Sequence, residues 1–296
     1  MDSSMLSFLA APFVASLVIA GIHAYLGVHV VERGVIFVDL SLAQIAAFGA
    51  SIALILPLSG GDPHGAAVYW ISLVFTILGA LLFSTIRSRR ARIPQEAIIG
   101  IAYAVASAAT ILAMSKATSE SEHLKDMLVG NILSVSWEEV WRTALLYVVI
   151  GAFHFVFRQR FLLISLDPER AVAQGISLRL WDFLFYASFG FVVTRSVSIA
   201  GVLLVFCYLI VPSVAAMLYA DRIGPRLAIG WTMGTIVSAL GVYLSLQLDL
   251  PTGATIVCTF GLVLIIMAAV RPLFQRHAPS DIHQVDYADR AHSHSH

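Results

Sequence analysis

Nine predominantly apolar stretches, most of them about the length of a bilayer-crossing helix, follow one another along this chain. Only short polar links separate them. They run over residues 6–30, 36–58, 66–86, 97–115, 140–157, 181–195, 199–220, 226–246 and 253–270. A helix needs about 20 apolar residues to cross the hydrocarbon layer. The sixth stretch is short and poorly separated from the seventh. The expected fold is therefore an all-α, polytopic transmembrane bundle of eight or nine spans. Composition agrees: 59% of the 296 residues are hydrophobic and 12% charged, against about 25% charged in a soluble domain. So few charges could not cover a soluble protein of this size. The first stretch has no basic lead, so it reads as a retained span rather than a cleaved signal.

Residues 1–272 are expected to form one membrane domain, and 273–296 a polar, disordered cytoplasmic tail. Basic residues orient the bundle. Arg33, Arg87, Arg89, Arg90, Arg92, Arg158, Arg160, Arg170, Arg179, Arg222, Arg226, Arg271, Arg276 and Arg290 fall on one face. Lys116, Lys125, Arg142 and Arg195 fall on the other. The arginine-rich face should be cytoplasmic. With nine spans the N-terminus is outside and the C-terminus inside. The 18 basic and 18 acidic residues balance, and no basic surplus points to nucleic acid. Cys207 and Cys258 lie in apolar runs and read as packed thiols rather than a disulfide or metal site.

Two elements between spans stand out. In Asp167-Pro168-Glu169-Arg170-Ala171-Val172-Ala173-Gln174-Gly175, Asp167 can cap a helix and Pro168 suits its first position. Glu169 suits the positive end of the dipole, and Gly175 suits a left-handed stop. This short cytoplasmic helix is either a plain connector or a docking helix for a partner, with its residues on the aqueous surface. Residues 118–139, on the outer side, are too short to span and too apolar for a free loop. An interfacial or re-entrant helix is expected there.

Polar groups at membrane depth are costly and mark function. Asp39 opens the second span. It either pairs with Arg33 or packs as a bonded structural group, or it faces a water-filled path and meets a cation. His23 and His29 are six residues apart and share no helix face, so each is either a bonded core histidine or one member of a wider site. His154 reads as a core histidine. Pro212, inside an apolar helix, breaks one backbone bond and kinks it, and Ser213 can satisfy a freed carbonyl. The tail ends in His292, His294 and His296, which are either a flexible terminus or a divalent-metal binder. No hydrolase, metalloprotease or phosphate-loop motif is present. ATP-driven transport would therefore need an ATPase on another chain.

Several stretches together resemble the permease subunits of zinc, manganese and iron ABC importers, the ABC-3 family. They are Gly27-Val28-His29 through Asp39, and Glu96 through Gly100. Val129-Gly130-Asn131 through Ser136 and Leu166-Asp167-Pro168 through Gly175 follow. The last two are Ala200-Gly201-Val202 through Ala215, with Pro212 and Ser213, and Asp249-Leu250-Pro251-Thr252-Gly253. They stand in the family's order over about residues 15–272. The resemblance implies a bacterial plasma-membrane permease with no catalysis and no covalently bound cofactor. Its cargo would be a divalent metal: zinc, manganese or iron. Implied partners are a second copy of the chain, two cytoplasmic ATP-binding subunits, an extracytoplasmic metal-binding protein and the lipid bilayer.

Implied roles follow the motifs. Asp167, Pro168, Glu169, Arg170, Ala171 and Gly175 would couple to the ATPase. Gly201, Pro212 and Ser213 would shape gating. Asp39 would open a transit site, with His23 a second ligand and Gln44 a third. Many family members carry Asp-x-x-x-His here. In this chain Ala43 stands four residues after Asp39, and Gln44 is rotated about 140° from it. The alternative function is a secondary cation carrier without an ATPase. Such carriers show internal repeats and several midplane carboxylates, and neither is evident here.

Overall fold

The computed structural model describes residues 3–56, 65–86, 93–115 and 132–275. These residues form helices and no strand. The long helices are α1 (Ser3–Glu32), α2 (Val38–Ile55), α3 (Ala66–Ile86), α4 (Gln95–Met114) and α5 (Trp137–Val156). Two short ones follow, α6 (Arg158–Leu166) and α7 (Pro168–Ala173). The bundle closes with α8 (Leu178–Ala200), α9 (Val202–Met217), α10 (Ile223–Leu248) and α11 (Thr252–Gln275). Eight are long and apolar enough to cross a membrane, and α9, with 16 residues, is apolar but shorter. The short span is therefore the seventh, where the sequence pointed to the sixth. The apolar run of α8 hides its true length, because Arg195 and several serines dilute its C-terminal end without breaking the helix.

The helices form two groups. In one, α2 lies against α3 and α4, and α3 against α8. In the other, α1 lies against α9 and α10, and α10 and α9 against α11. Helix α5 bridges them through α1 and α8. In α1, α2 and α8 61% of the span residues are buried, in α4 and α11 only 22%. The first three are thus central, and the apolar outer faces of the last two are left for lipid or another chain. Without a hydrophobic drive between helices in lipid, close approach depends on small residues. A β-carbon on Gly234 would meet Ala20 at 3.1 Å, and one on Gly230 would meet Ala24 at 3.4 Å.

Local chemistry sets the helix ends. Ser136 caps α5 by accepting from the Glu139 backbone N–H, while Glu139 accepts from Ser136 in return. This capping box begins α5 three residues before the apolar run suggests. Of the expected interfacial helix at 118–139, residues 118–131 lie outside the described residues. The rest is one 3-10 turn, Ile132–Ser134, leading to this cap. Asp249 adopts the left-handed conformation (φ 51°) at the end of α10. Ser245 then donates to the Leu250 carbonyl at 2.7 Å and bonds Thr252 at 2.6 Å, so Asp249-Leu250-Pro251-Thr252 is a tight helix-to-helix turn. Helix α11 runs three residues past 272. The tail histidines His292, His294 and His296 lie outside the described residues, as do Arg87, Arg89, Arg90, Arg92, Lys116 and Lys125.

Candidate functional site

Interactions between connecting segments gather at one end of the bundle. Glu32, at the end of α1, pairs with Arg226 in the first turn of α10. Arg33 pairs with Asp182 of α8 at 2.6 Å, with both side chains essentially fully buried. Its Nε donates to Ser165 of α6 at 2.9 Å, and its guanidinium lies 4.0 Å from the Phe185 ring centre. Ser165 also bonds His29 Nδ1 at 2.9 Å. The backbone N–H of Phe37, which caps α2, donates to Glu96 of α4 at 3.0 Å. The α1–α2 turn, the α6–α7 segment, and the starts of α4, α8 and α10 therefore share one face. Helices α1, α2, α3, α4, α5, α8, α9, α10 and α11 therefore alternate in direction through the bundle.

Asp39 sits in the first turn of α2, 1% exposed. Neither of its carboxylate oxygens has a hydrogen-bond partner. The expected alternative of an Arg33–Asp39 pair does not form, because Arg33 is turned to Asp182 and Ser165. Gln44 is also buried on α2. His23 is fully buried on α1, with Nδ1 bonded to the Ile19 carbonyl at 2.8 Å and Nε2 without a partner. Its ring lies edge-on to Tyr147 of α5, at 6.5 Å between centres. Asp39 and His23 thus stand on helices that share no extensive contact. Among the described residues no three His, Cys, Asp or Glu side chains are gathered as a metal site. His154 fills the core role expected of it, bonding Ser188 at 2.8 Å and Tyr25 at 3.3 Å and stacking on Phe161.

The segment 167–175 folds as its sequence dictates. The Asp167 side chain accepts from the Arg170 N–H at 2.9 Å, Pro168 opens α7, and Gly175 closes it at φ +74°. Glu169, Arg170, Gln174 and Gly175 are exposed. Ala171 is not: it is fully buried, which corrects the expectation that the whole helix lies on the aqueous surface. A six-residue helix cannot stand free, and its one small inward side chain anchors it.

Gly201 links α8 directly to α9 at φ 77°, ψ 161°, a region essentially closed to residues with a β-carbon. Pro212 removes the N–H that would bond the Tyr208 carbonyl. Ser213 Oγ instead donates to the Leu209 carbonyl, at 2.9 Å, one residue beyond the carbonyl the proline frees.

Asp182 is the residue that sequence reasoning missed. It lies at the head of an apolar run, as Asp39 does, and the same rule for acids at membrane depth would have marked it. Its partner Arg33 could not be read from spacing, since 149 residues separate them.

The model of the ABC 3 transport family matches residues 5–271. The manganese transport system membrane protein MntC of Listeria monocytogenes is 23% identical over 266 residues, covering 90% of this chain and 91% of that protein. The chelated iron transport system membrane protein YfeC of Yersinia pestis is 26% identical over 242 residues, covering 82% and 79%. The structure of PsaBC from Streptococcus pneumoniae in complex with Fab superposes with a TM-score of 0.73. It is 24% identical, over 88% of this chain and 90% of that one.

Proposed function

Because the chain belongs to the ABC 3 transport family, we propose that it is the membrane-spanning permease of an ATP-driven importer of divalent transition metals in the bacterial plasma membrane. Manganese is the first candidate cargo, given the relatives named for manganese transport; iron and zinc come next. The chain is then the conduit and not the catalyst. ATP hydrolysis falls to two cytoplasmic subunits, and an extracytoplasmic binding protein delivers the metal. Two copies of the chain complete the path, brought together by faces that the single chain leaves apolar and uncovered. Family membership favours this reading over a secondary carrier.

The observation that carries the cation assignment is Asp39. A buried carboxylate with no partner is expensive, and a cation in transit supplies what the chain withholds. Carboxylate oxygen, imidazole nitrogen and amide oxygen suit manganese, iron and zinc, so His23 and Gln44 are the proposed second and third ligands. They would act in sequence or after rearrangement, since Asp39 and His23 do not share a packed interface. A loosely held ion is what a transport path needs. Residues 167–175 dock the ATPase, with Glu169, Arg170 and Gly175 presented outward, and Asp167, Pro168 and Ala171 holding the helix in place. Gly201, Pro212 and Ser213 set the bends that gating uses. The tail histidines His292, His294 and His296 would add a cytoplasmic metal-binding segment.

The test is reconstitution with the ATP-binding subunits in liposomes, with uptake of manganese, zinc and iron measured with and without ATP. ATP-dependent uptake of one of them supports the proposal. Uptake driven by an ion gradient without ATP would establish the secondary carrier instead.

A further inference from the structure

Arg33 occupies a position that coupling would exploit. It is the first residue after α1 and lies six residues before Asp39. Its Nε donates to Ser165, in the last turn of α6 and two residues before the Asp167 that caps α7. Its other contact, Asp182, belongs to α8. Ala171, the inward side chain of α7, is buried beside the same elements. The adjacent Glu32 pairs with Arg226 of α10, within α1's own helix group, while Asp182 lies in the group of α2, α3 and α8. A single turn thus holds both helix groups and the base of the docking segment.

These bonds are stiff. Charge-assisted bonds from a guanidinium are short, strong and directional. Pulling Arg33 from Asp182 would separate two opposite charges that are both buried, which is costly. A shift of α6 reaches the α1–α2 turn through the Arg33 Nε–Ser165 bond, and the Arg33–Asp182 pair ties α8 to the same turn.

From this we infer that Arg33, with Asp182 and Ser165, is the positioning residue that transmits motion of the 167–175 segment to the first turn of α2, where Asp39 stands. The inference rests on the permease reading and names the link within it. Ser165 is the sensitive element, because removing its hydroxyl takes away the bonds it makes to Arg33 and His29 while leaving the Arg33–Asp182 pair in place.

The experiment compares Ser165→Ala and Arg33→Lys with the unaltered chain, reconstituted with the ATP-binding subunits in liposomes. Manganese imported per ATP hydrolysed is the readout. ATP turnover within about two-fold of the unaltered complex, with manganese per ATP reduced roughly five-fold or more, is the expected result. An unchanged ratio, whether both rates stay normal or fall together, overturns the link and reduces these residues to a structural staple.

A second measurement needs no transport. Amide hydrogen exchange of the full chain in nanodiscs should rise in Ser165→Ala at both 167–176 and 33–40. A rise at 167–176 alone, or at neither, overturns the link whatever the transport result. If the unaltered complex imports no metal with ATP, the permease reading fails, while the exchange measurement still decides the mechanical connection.

Discussion

Gly27 of α1 lies directly against the carbonyl of Leu209 in α9, so that a β-carbon at position 27 would overlap the Leu209 oxygen and the Ser213 hydroxyl. The contact falls at the proline-disturbed turn of α9, where Ser213 already bonds the same carbonyl. Backbone cannot step aside as a flexible side chain can. The crossing of α1 and α9 is therefore fixed by the absence of one carbon atom.

Gly27→Ala should accordingly destabilise the protein by about 1–3 kcal/mol through overpacking, and more if the two helices cannot separate. Gly21 is the internal control, since a β-carbon there meets nothing within 4 Å. Gly21→Ala should be neutral or add up to about 1 kcal/mol from helix propensity. Melting of the detergent-solubilised protein, followed by size-exclusion chromatography after heating, checks both. Equal melting temperatures for the two variants would show that the crossing tolerates a wider spacing.

On α7 the prediction separates charge from packing. Glu169→Lys and Arg170→Glu change exposed side chains and should leave melting unchanged, while lowering ATPase association. Ala171→Leu places bulk at a fully buried position and should cost about 1–3 kcal/mol, loosening the segment. Asp167→Ala removes the cap and should cost about 1 kcal/mol. Pull-down of the ATP-binding subunits alongside melting distinguishes these outcomes. Normal ATPase binding by both charge-reversed variants would remove residues 167–175 from the docking surface.

Features governed by local rules were legible in the sequence. Asp167, Pro168 and Gly175 mark the ends of α7 through capping, ring geometry and φ, and the structure uses each as expected. Span lengths followed from hydropathy except near Gly201, where one residue both ends α8 and begins α9. That break needs a backbone conformation which hydropathy does not register. What could not be read depends on distant chain segments meeting. The burial of Ala171 is set by how α7 lies on its neighbours. The unpartnered state of Asp39 is decided by Arg33 finding Asp182 elsewhere. Gly27 stood in a quoted motif, but its reason is the backbone of a helix some 180 residues later.

Gly201→Ala should be poorly tolerated for conformational rather than packing reasons. Its φ of 77° with ψ of 161° costs a residue bearing a β-carbon about 1–3 kcal/mol. The strain is confined to the α8–α9 junction, so local exchange there should rise before global melting falls. Hydrogen exchange mass spectrometry of residues 198–204 reads this directly. Unaltered exchange in Gly201→Ala would mean that the junction relaxes to another backbone conformation without penalty.

The arginine bias predicts which face is cytoplasmic. In a Cys207→Ala, Cys258→Ala background, a cysteine at the exposed Glu169 should react with a membrane-impermeant maleimide only from the cytoplasmic side. One at the exposed Glu138 should react from outside in intact cells. Both positions lie on described, solvent-exposed turns at opposite ends of the bundle. The reverse sidedness would invert the bundle and put residues 167–175 beyond the reach of a cytoplasmic ATPase.

Asp39→Asn tests whether the buried carboxylate is there for a cation. The substitution keeps size and shape and removes only the negative charge. If Asp39 were a structural group it would have partners to lose, and the variant would be less stable; its oxygens have none. An unpaired buried charge is itself destabilising, so Asp39→Asn should melt at the same temperature as the unaltered protein or higher. Manganese uptake should fall roughly ten-fold or more, equivalent to about 1.4 kcal/mol of lost stabilisation along the path. Stability held or gained together with transport lost is the signature of a residue kept for function against folding. His23→Ala should weaken uptake less, because its Nδ1 is already committed to Ile19 and only Nε2 remains to meet an ion. Gln44→Ala should have the smallest effect, since its amide offers the weakest ligand. Full uptake by Asp39→Asn, with unchanged preference among manganese, iron and zinc, would show that the path does not run past this carboxylate. The cation assignment would then stand on family membership alone.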